Sequence, residues 1–150
     1  MNSNLMIGLM KRDTKDFNMF SFDNRLRLQK FSYLLQHVGK INLEYDFDWY
    51  HYGPYCKQLT QECFNTDCEE IPSLKFEDEK LEKGFETFLE WIKGKDNFWM
   101  EVVASIHYLK QLGCADEEII KIIKQKHVDF NDKDKEIRII FGELQKEKKI

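Results

Sequence analysis

The sequence predicts a mainly α fold with a minor β contribution (α+β), a compact bundle of about six helices plus one β element around residues 43–50. Three observations carry this expectation. Apolar residues recur at helical spacing along most of the chain, one stretch alone alternates with period two, and the 150 residues hold two prolines and no Gly/Ser-rich linker. No internal boundary is marked, so residues 1–150 read as a single domain. With 42% apolar and 33% charged residues, the chain has hydrophobe enough for a core and charge enough for a solvated surface. That balance excludes a disordered class.

The first helix expected is "DNRLRLQKFSYLLQHVG", with Asp23 as its N-terminal cap and Gly39 in the left-handed position that ends it. Leu28, Phe31, Leu35 and Val38 fall on one face, and Leu26 and Tyr33 nearly opposite, so this helix is contacted on two sides. "YDFDWY" alternates, with Tyr45, Phe47 and Trp49 on one side and Asp46, Asp48 and Tyr50 on the other, the pattern of a half-exposed strand. Gly53 suits a turn and Pro54 the first turn of a short helix, "PYCKQLTQEC".

Residues 65–76 read as a loop with room for a short strand at "SLKF". "DEKLEKGFETFLEWIKG" follows as an amphipathic helix with the stripe Leu81, Phe85, Phe88 and Ile92, closed by Gly94. "DNFWMEVVASIHYLKQLG" opens on Asp96, ends at Gly113 and is apolar on nearly every side, which marks the central buried helix. Two helices close the chain, one carrying Ile119, Ile120 and Ile123 and the other Ile137, Ile140, Phe141 and Leu144. Three successive helices fit either a winged-helix-like C-terminal half or an ordinary bundle.

The net charge is −4. Residues 1–50 carry seven basic and six acidic side chains, residues 51–109 six and twelve, and residues 110–150 ten and nine. An acidic middle and no strongly basic end disfavour nucleic-acid binding, which depends on Lys and Arg neutralising phosphates. There is no export signal at the start and no apolar run of membrane-spanning length, so a cytoplasmic location is expected. Cys56, Cys63, Cys68 and Cys114 include no C-x-x-C pair and read as reduced thiols.

Arg27 lies at the edge of a stripe made by Phe31, Leu34 and Val38, so it either pairs with Asp46, Asp48 or Glu101, snorkels to solvent, or meets a ligand. Trp49, Tyr50, His51, Tyr52 and Tyr55 form either core with tethered hydroxyls or a contact surface; alternation buries Trp49 and His51 and turns Tyr50 and Tyr52 outward. Cys56, Cys63 and Cys68 with His37, His51, His107 and His127 lack the tight knuckle spacing of a zinc site, so no metal or cofactor is expected. No nucleophile elbow, P-loop, H-E-x-x-H or dinucleotide fingerprint occurs, and Ser105 and His107 point apart on their helix. No catalytic residue is assigned.

The order "RLRLQKFSYLLQ", a spacer, then "FDWYHYGPYCKQL", with "FWMEVVASIHYLKQLG" and an "EEII" helix later, resembles a group of small prokaryotic proteins called YwgA-like. More distantly it is similar to the Panacea or SocA-like antitoxin domain. The resemblance spans roughly residues 22–148, with its specific motifs within 25–59. The matching positions Leu28, Gln29, Lys30, Trp49, Tyr52, Gly53, Pro54 and Leu59 are implied to be fold determinants, with Arg27 beside them as a structural residue. Ser32 and Tyr33 depart from the antitoxin pattern, so a partner surface of that type would not be reproduced unchanged.

The expected function is a non-enzymatic protein-interaction module, antitoxin-like or defence-associated, binding a protein through Tyr50, Tyr52 and Tyr55 together with the acidic middle segment. The alternative is a winged-helix-type nucleic-acid binder placing Lys121, Lys124, Lys126, Lys133, Lys135 and Arg138 on phosphates. An enzyme built on His51 or His107 is the residual reading.

Overall fold

A computed structural model describes residues 3–126 and 128–150. Its described residues form seven α-helices and a single β-hairpin. The helices are α1 (Ser3–Asp13), α2 (Phe22–His37), α3 (Lys57–Phe64), α4 (Glu79–Ile92), α5 (Asn97–Gln111), α6 (Asp116–Gln125) and α7 (Asp134–Lys146). The strands are β1 (Asp48–Tyr50) and β2 (Gly53–Tyr55), and 3-10 turns occupy Cys68–Glu70 and Val128–Phe130. No described helix is long and apolar enough to cross a membrane.

Helix α5 is the axis of the fold. It is buried nearly all round, from Trp99 to His107, because no face of its sequence is polar enough to stay in water. Helices α2, α6 and α7 and strand β2 pack directly on it. Asp96 caps it by accepting the Trp99 N–H at 2.9 Å, and Gly113 ends it at φ +87°. The stripes of α6 and α7 turn inward as their spacing requires.

Helix α1 is absent from the sequence expectations. Met6 to Met10 are buried in succession, so its burial is not confined to one stripe. Gly8 lets the 65–76 loop cross it closely: Leu74 N–H donates to Gly8 O at 3.0 Å, and a Cβ at Gly8 would lie 2.6 Å from Leu74 Cβ. That contact holds the "SLKF" stretch as loop, not strand.

Five local expectations are corrected. Ser21, not Asp23, caps α2, its Oγ accepting the Asn24 N–H at 3.0 Å. Gly39 is not left-handed; Lys40 takes φ +60°, while Gly39 is needed because a Cβ there would sit 2.7 Å from Leu35 O. On α4, Leu81 is exposed and Glu82 turns inward, gripped by Arg12 of α1 through bonds of 2.8 and 2.6 Å. The Arg12 guanidinium holds the Glu82 carboxyl below its usual range. Arg27 pairs with none of Asp46, Asp48 and Glu101; its fork meets Asp13 at 2.6 and 2.9 Å, and its Nη1 meets Lys95 O at 2.8 Å. Pro54 lies in β2, and α3 begins three residues later.

The period-two burial expected for a strand runs from Ile41 to Tyr50, yet only residues 48–50 pair with another strand. Gln36 of α2 explains the difference, and Gln29 makes the same kind of contact just after β2. Gln36 donates to Tyr45 O at 2.7 Å and accepts from Tyr45 N–H at 3.1 Å. Gln29 does the same to Cys56, at 2.8 Å in both directions. Seven residues apart, they share one helix face, and each amide stands in for a strand neighbour.

Candidate functional site: an aromatic cleft over a buried lysine pair

The sequence of α2 places Phe22, Arg25, Leu26, Gln29 and Lys30 along one helical stripe facing the hairpin. Between that stripe, the hairpin and the start of α3 lies a cleft of about 410 Å³, a volume in the range of small-ligand and side-chain pockets. Tyr50, Tyr52 and Tyr55, the three expected partner-binding residues, all line it. Tyr50 and Tyr52 are 51% and 40% exposed, and Tyr55 is half-buried with its ring 5.1 Å from that of Tyr50. His51 is exposed in the two-residue turn, not buried beside Trp49, because the strand ends at Tyr50.

The exposed rings extend beyond the cleft. Phe22 meets Tyr52 edge to face at 5.1 Å, and these two with Val128 line a neighbouring groove. On the other side Arg25 lies 5.8 Å from the Phe64 ring and donates to Phe20 O at 3.0 Å. Nine large hydrophobic residues are exposed among the described residues; Phe22, Tyr50, Tyr52 and Val128 line the cleft and its neighbouring groove, and Phe20 and Phe64 line a separate cavity on the far side of Arg25. Leu81, Leu112 and Ile139 are scattered over other helices.

Beneath the hairpin lies a buried polar cluster. Lys126 donates to Glu101 Oε2 at 2.7 Å and Ser105 Oγ at 3.0 Å, with its ammonium 5.4 Å from the Trp49 ring. Lys30 is 1% exposed and donates to Pro54 O at 2.6 Å. Burial, and then the nearby Lys126 charge, push Lys30 down to about 7 against the opposing pull of Glu101. Lys126 is lowered by burial despite Glu101. Gly53, at φ +92°, roofs the cluster: a Cβ there would lie 2.5 Å from Ser105 Oγ and 3.2 Å from Lys126 Nζ. Gln29, Lys30, Trp49, Gly53 and Pro54 are thereby joined in one packed unit that positions the turn.

The basic residues of the nucleic-acid alternative are not gathered into a free stripe. Lys126 is buried on Glu101, Lys124 meets Asp134 at 3.0 Å, and Arg138 forks onto Glu117 at 2.8 Å while also meeting Asp134. Lys133 faces Glu136 at 3.9 Å, whereas Lys121 and Lys135 are exposed. Residues 97–148 contain no strand among those described, so no wing accompanies these helices.

Ser105 serves Lys126, and His107 is packed among rings with its Nδ1 2.7 Å from Tyr33 Oη. Burial lowers His107 to about 4, with the His37 and Lys40 charges adding to the effect, while burial raises Tyr33. Both groups are therefore neutral, and the imidazole and the phenol share a single hydrogen bond. Tyr33 and Ser32 are both buried and form no part of the surface. The thiols of Cys56, Cys63 and Cys68 are buried and unpaired, and burial pushes Cys63 up to about 12. No group of three or more His, Cys, Asp or Glu among the described residues could hold a metal ion, and His127 lies outside those residues.

Compared with known protein families, with characterised proteins and with solved structures, the chain returns no match.

The acidic side chains of the middle segment contribute nothing to the cleft, whose lining contains no Asp or Glu. Sequence reasoning found the tyrosines through their alternation but missed Phe20, Phe22, Arg25 and Phe64. The spacing 22, 25, 26, 29, 30 was the available signal for a second, cleft-lining face on α2.

Proposed function

We propose that this protein is a non-enzymatic protein-interaction module, an antitoxin-like or defence-associated regulator, that holds its partner on the aromatic face around Tyr50 and Tyr52. The observation that carries the reading is the gathering of four of the nine exposed large hydrophobic residues, Phe22, Tyr50, Tyr52 and Val128, along the cleft and its adjoining groove. Contiguous exposed apolar surface is costly in water and characterises interaction sites, and tyrosine, phenylalanine and arginine are the side chains that interfaces enrich. The buried cluster under Gly53 gives the face a rigid base, which lowers the ordering cost of binding.

The polar side chains that would attract a catalytic reading are engaged in packing: Ser105 on Lys126, His107 on Tyr33. The YwgA-like and antitoxin resemblance supplies the regulatory class, and the face supplies the means of binding. The test is affinity capture from native cytosol by the tagged protein, with Tyr50→Ala and Tyr52→Ala beside the parent. A partner held through this face falls at least about tenfold in recovery in the double variant, since central aromatic anchors commonly contribute about 2 kcal/mol or more each. Undiminished recovery removes the two tyrosines from the binding surface.

A further inference from the structure

The cleft carries a charge pattern opposite to that of the chain. In a protein of net charge −4, the charged side chains lining it are Arg25, Lys30 and Lys57, and none is acidic. Arg25 also differs from the other arginines. Arg12, Arg27 and Arg138 each close a two-pronged grip on a carboxylate of the chain, Glu82, Asp13 and Glu117 respectively. Arg25 has no carboxylate partner; its Nη1 is tethered to Met19 O at 2.9 Å and Phe20 O at 3.0 Å, which leaves Nε and Nη2 for another acceptor. Lys57 is likewise exposed at the cleft edge without a carboxylate partner.

From these observations we infer that the cleft recognises an acidic protein segment in which an Asp or Glu side chain is flanked by an aromatic or large aliphatic residue. The carboxylate is received by Arg25 and Lys57, and the apolar neighbour lies against Phe22, Tyr50 and Tyr52. A guanidinium held by backbone carbonyls is preorganised for a planar carboxylate, with two parallel bonds and little rotamer entropy left to lose. The tyrosine rings supply apolar area with few torsions to freeze. A phosphate backbone is the poorer fit, because it needs a track of free cations, and four of the six basic residues expected to supply one, Lys124, Lys126, Lys133 and Arg138, are paired with acids.

This inference rests on the interaction-module reading and names its partner's chemistry, so the experiment separates the two. A random library of short linear peptides is selected on the intact protein, and the enriched peptides are then titrated against Arg25→Glu, Lys57→Glu and the Tyr50→Ala/Tyr52→Ala pair. Lys57 is exposed and without a carboxylate partner, so its reversal tests the charge even if Arg25→Glu disturbs the start of α2. The expected result is enrichment of Asp or Glu next to Phe, Trp or Leu, with binding weakened about tenfold or more by either charge reversal and by added salt. Enriched peptides that depend on the tyrosines but carry no acid, or that ignore both reversals, overturn the acidic assignment and leave the interaction reading in place. Peptides indifferent to the tyrosines as well, or a library yielding none, overturn both. Displacement of bound acidic peptides by an unrelated single-stranded oligonucleotide, with tighter binding of the oligonucleotide, overturns the choice of a protein segment as occupant.

Discussion

Lys30 sets the electrostatics of the hairpin base. Its ammonium shares the neighbourhood of Lys126, itself paired with Glu101, and burial lowers it from 10.5 to about 7. The unfolded chain therefore binds more protons than the folded one between those two values. Stability rises with pH across that window, and the cost of burying the charged lysine is complete below about 7 and absent above about 10.5. Lys30→Met, close in length and apolar, is expected to stabilise the protein most near about pH 6, with the gain shrinking as pH rises toward 10. Urea unfolding of parent and variant at several pH values checks this; a pH-independent difference would show that Lys30 is not the titrating group. The residue identities Lys30, Trp49, Gly53 and Pro54 were legible in the sequence as a motif. That Lys30 and Lys126 meet under Gly53 was not, because the contact joins residues far apart in the chain.

At the scale of elements, helix ends and amphipathic stripes were readable wherever one residue type does one local job. Asp78 and Asp96 cap α4 and α5 by accepting the N–H three residues on, and Gly94 and Gly113 turn left-handed as glycines after helices do. The exchanges of Ser21 for Asp23 and of Lys40 for Gly39 are local, whereas the other failures share a physical cause, which is a partner supplied by another segment. Arg12 draws Glu82 inward at the expense of Leu81, and the crossing loop turns Gly8 into a close contact with Leu74. Gln36 binds the backbone of an extended segment that alternation alone identifies as a strand, and Gln29 binds that of Cys56 just after β2. Gln29→Ala leaves the Cys56 N–H without its partner in a buried setting, while the Cys56 C=O keeps the Thr60 N–H, an expected loss of about 1–3 kcal/mol. Gln36→Ala should cost less, since Tyr45 reaches its glutamine in a part-buried setting. Equal losses in chemical denaturation would count against the amides acting as substitute strand neighbours. Gly53→Ala adds a Cβ at positive φ against Ser105 Oγ and should destabilise by about 2–4 kcal/mol.

For the whole molecule, the central helix α5 holds α2 and the hairpin in fixed relation, and the aromatic face is built across that joint. The mainly α architecture with one small β element follows from composition and periodicity. The location of the proposed binding face did not, since Phe22 and Val128 come from segments whose local patterns mark neither as a surface contact. The central claim is that this face, and no other exposed hydrophobic site, holds a protein partner. The most direct test places a photo-crosslinking amino acid at Tyr52 and, in separate proteins, at the exposed Leu112 and Ile139, followed by irradiation in nuclease-treated native cytosol. The account predicts a discrete protein adduct from position 52 and none of comparable yield from 112 or 139. An adduct at either control position in equal yield, or none at 52, would contradict it.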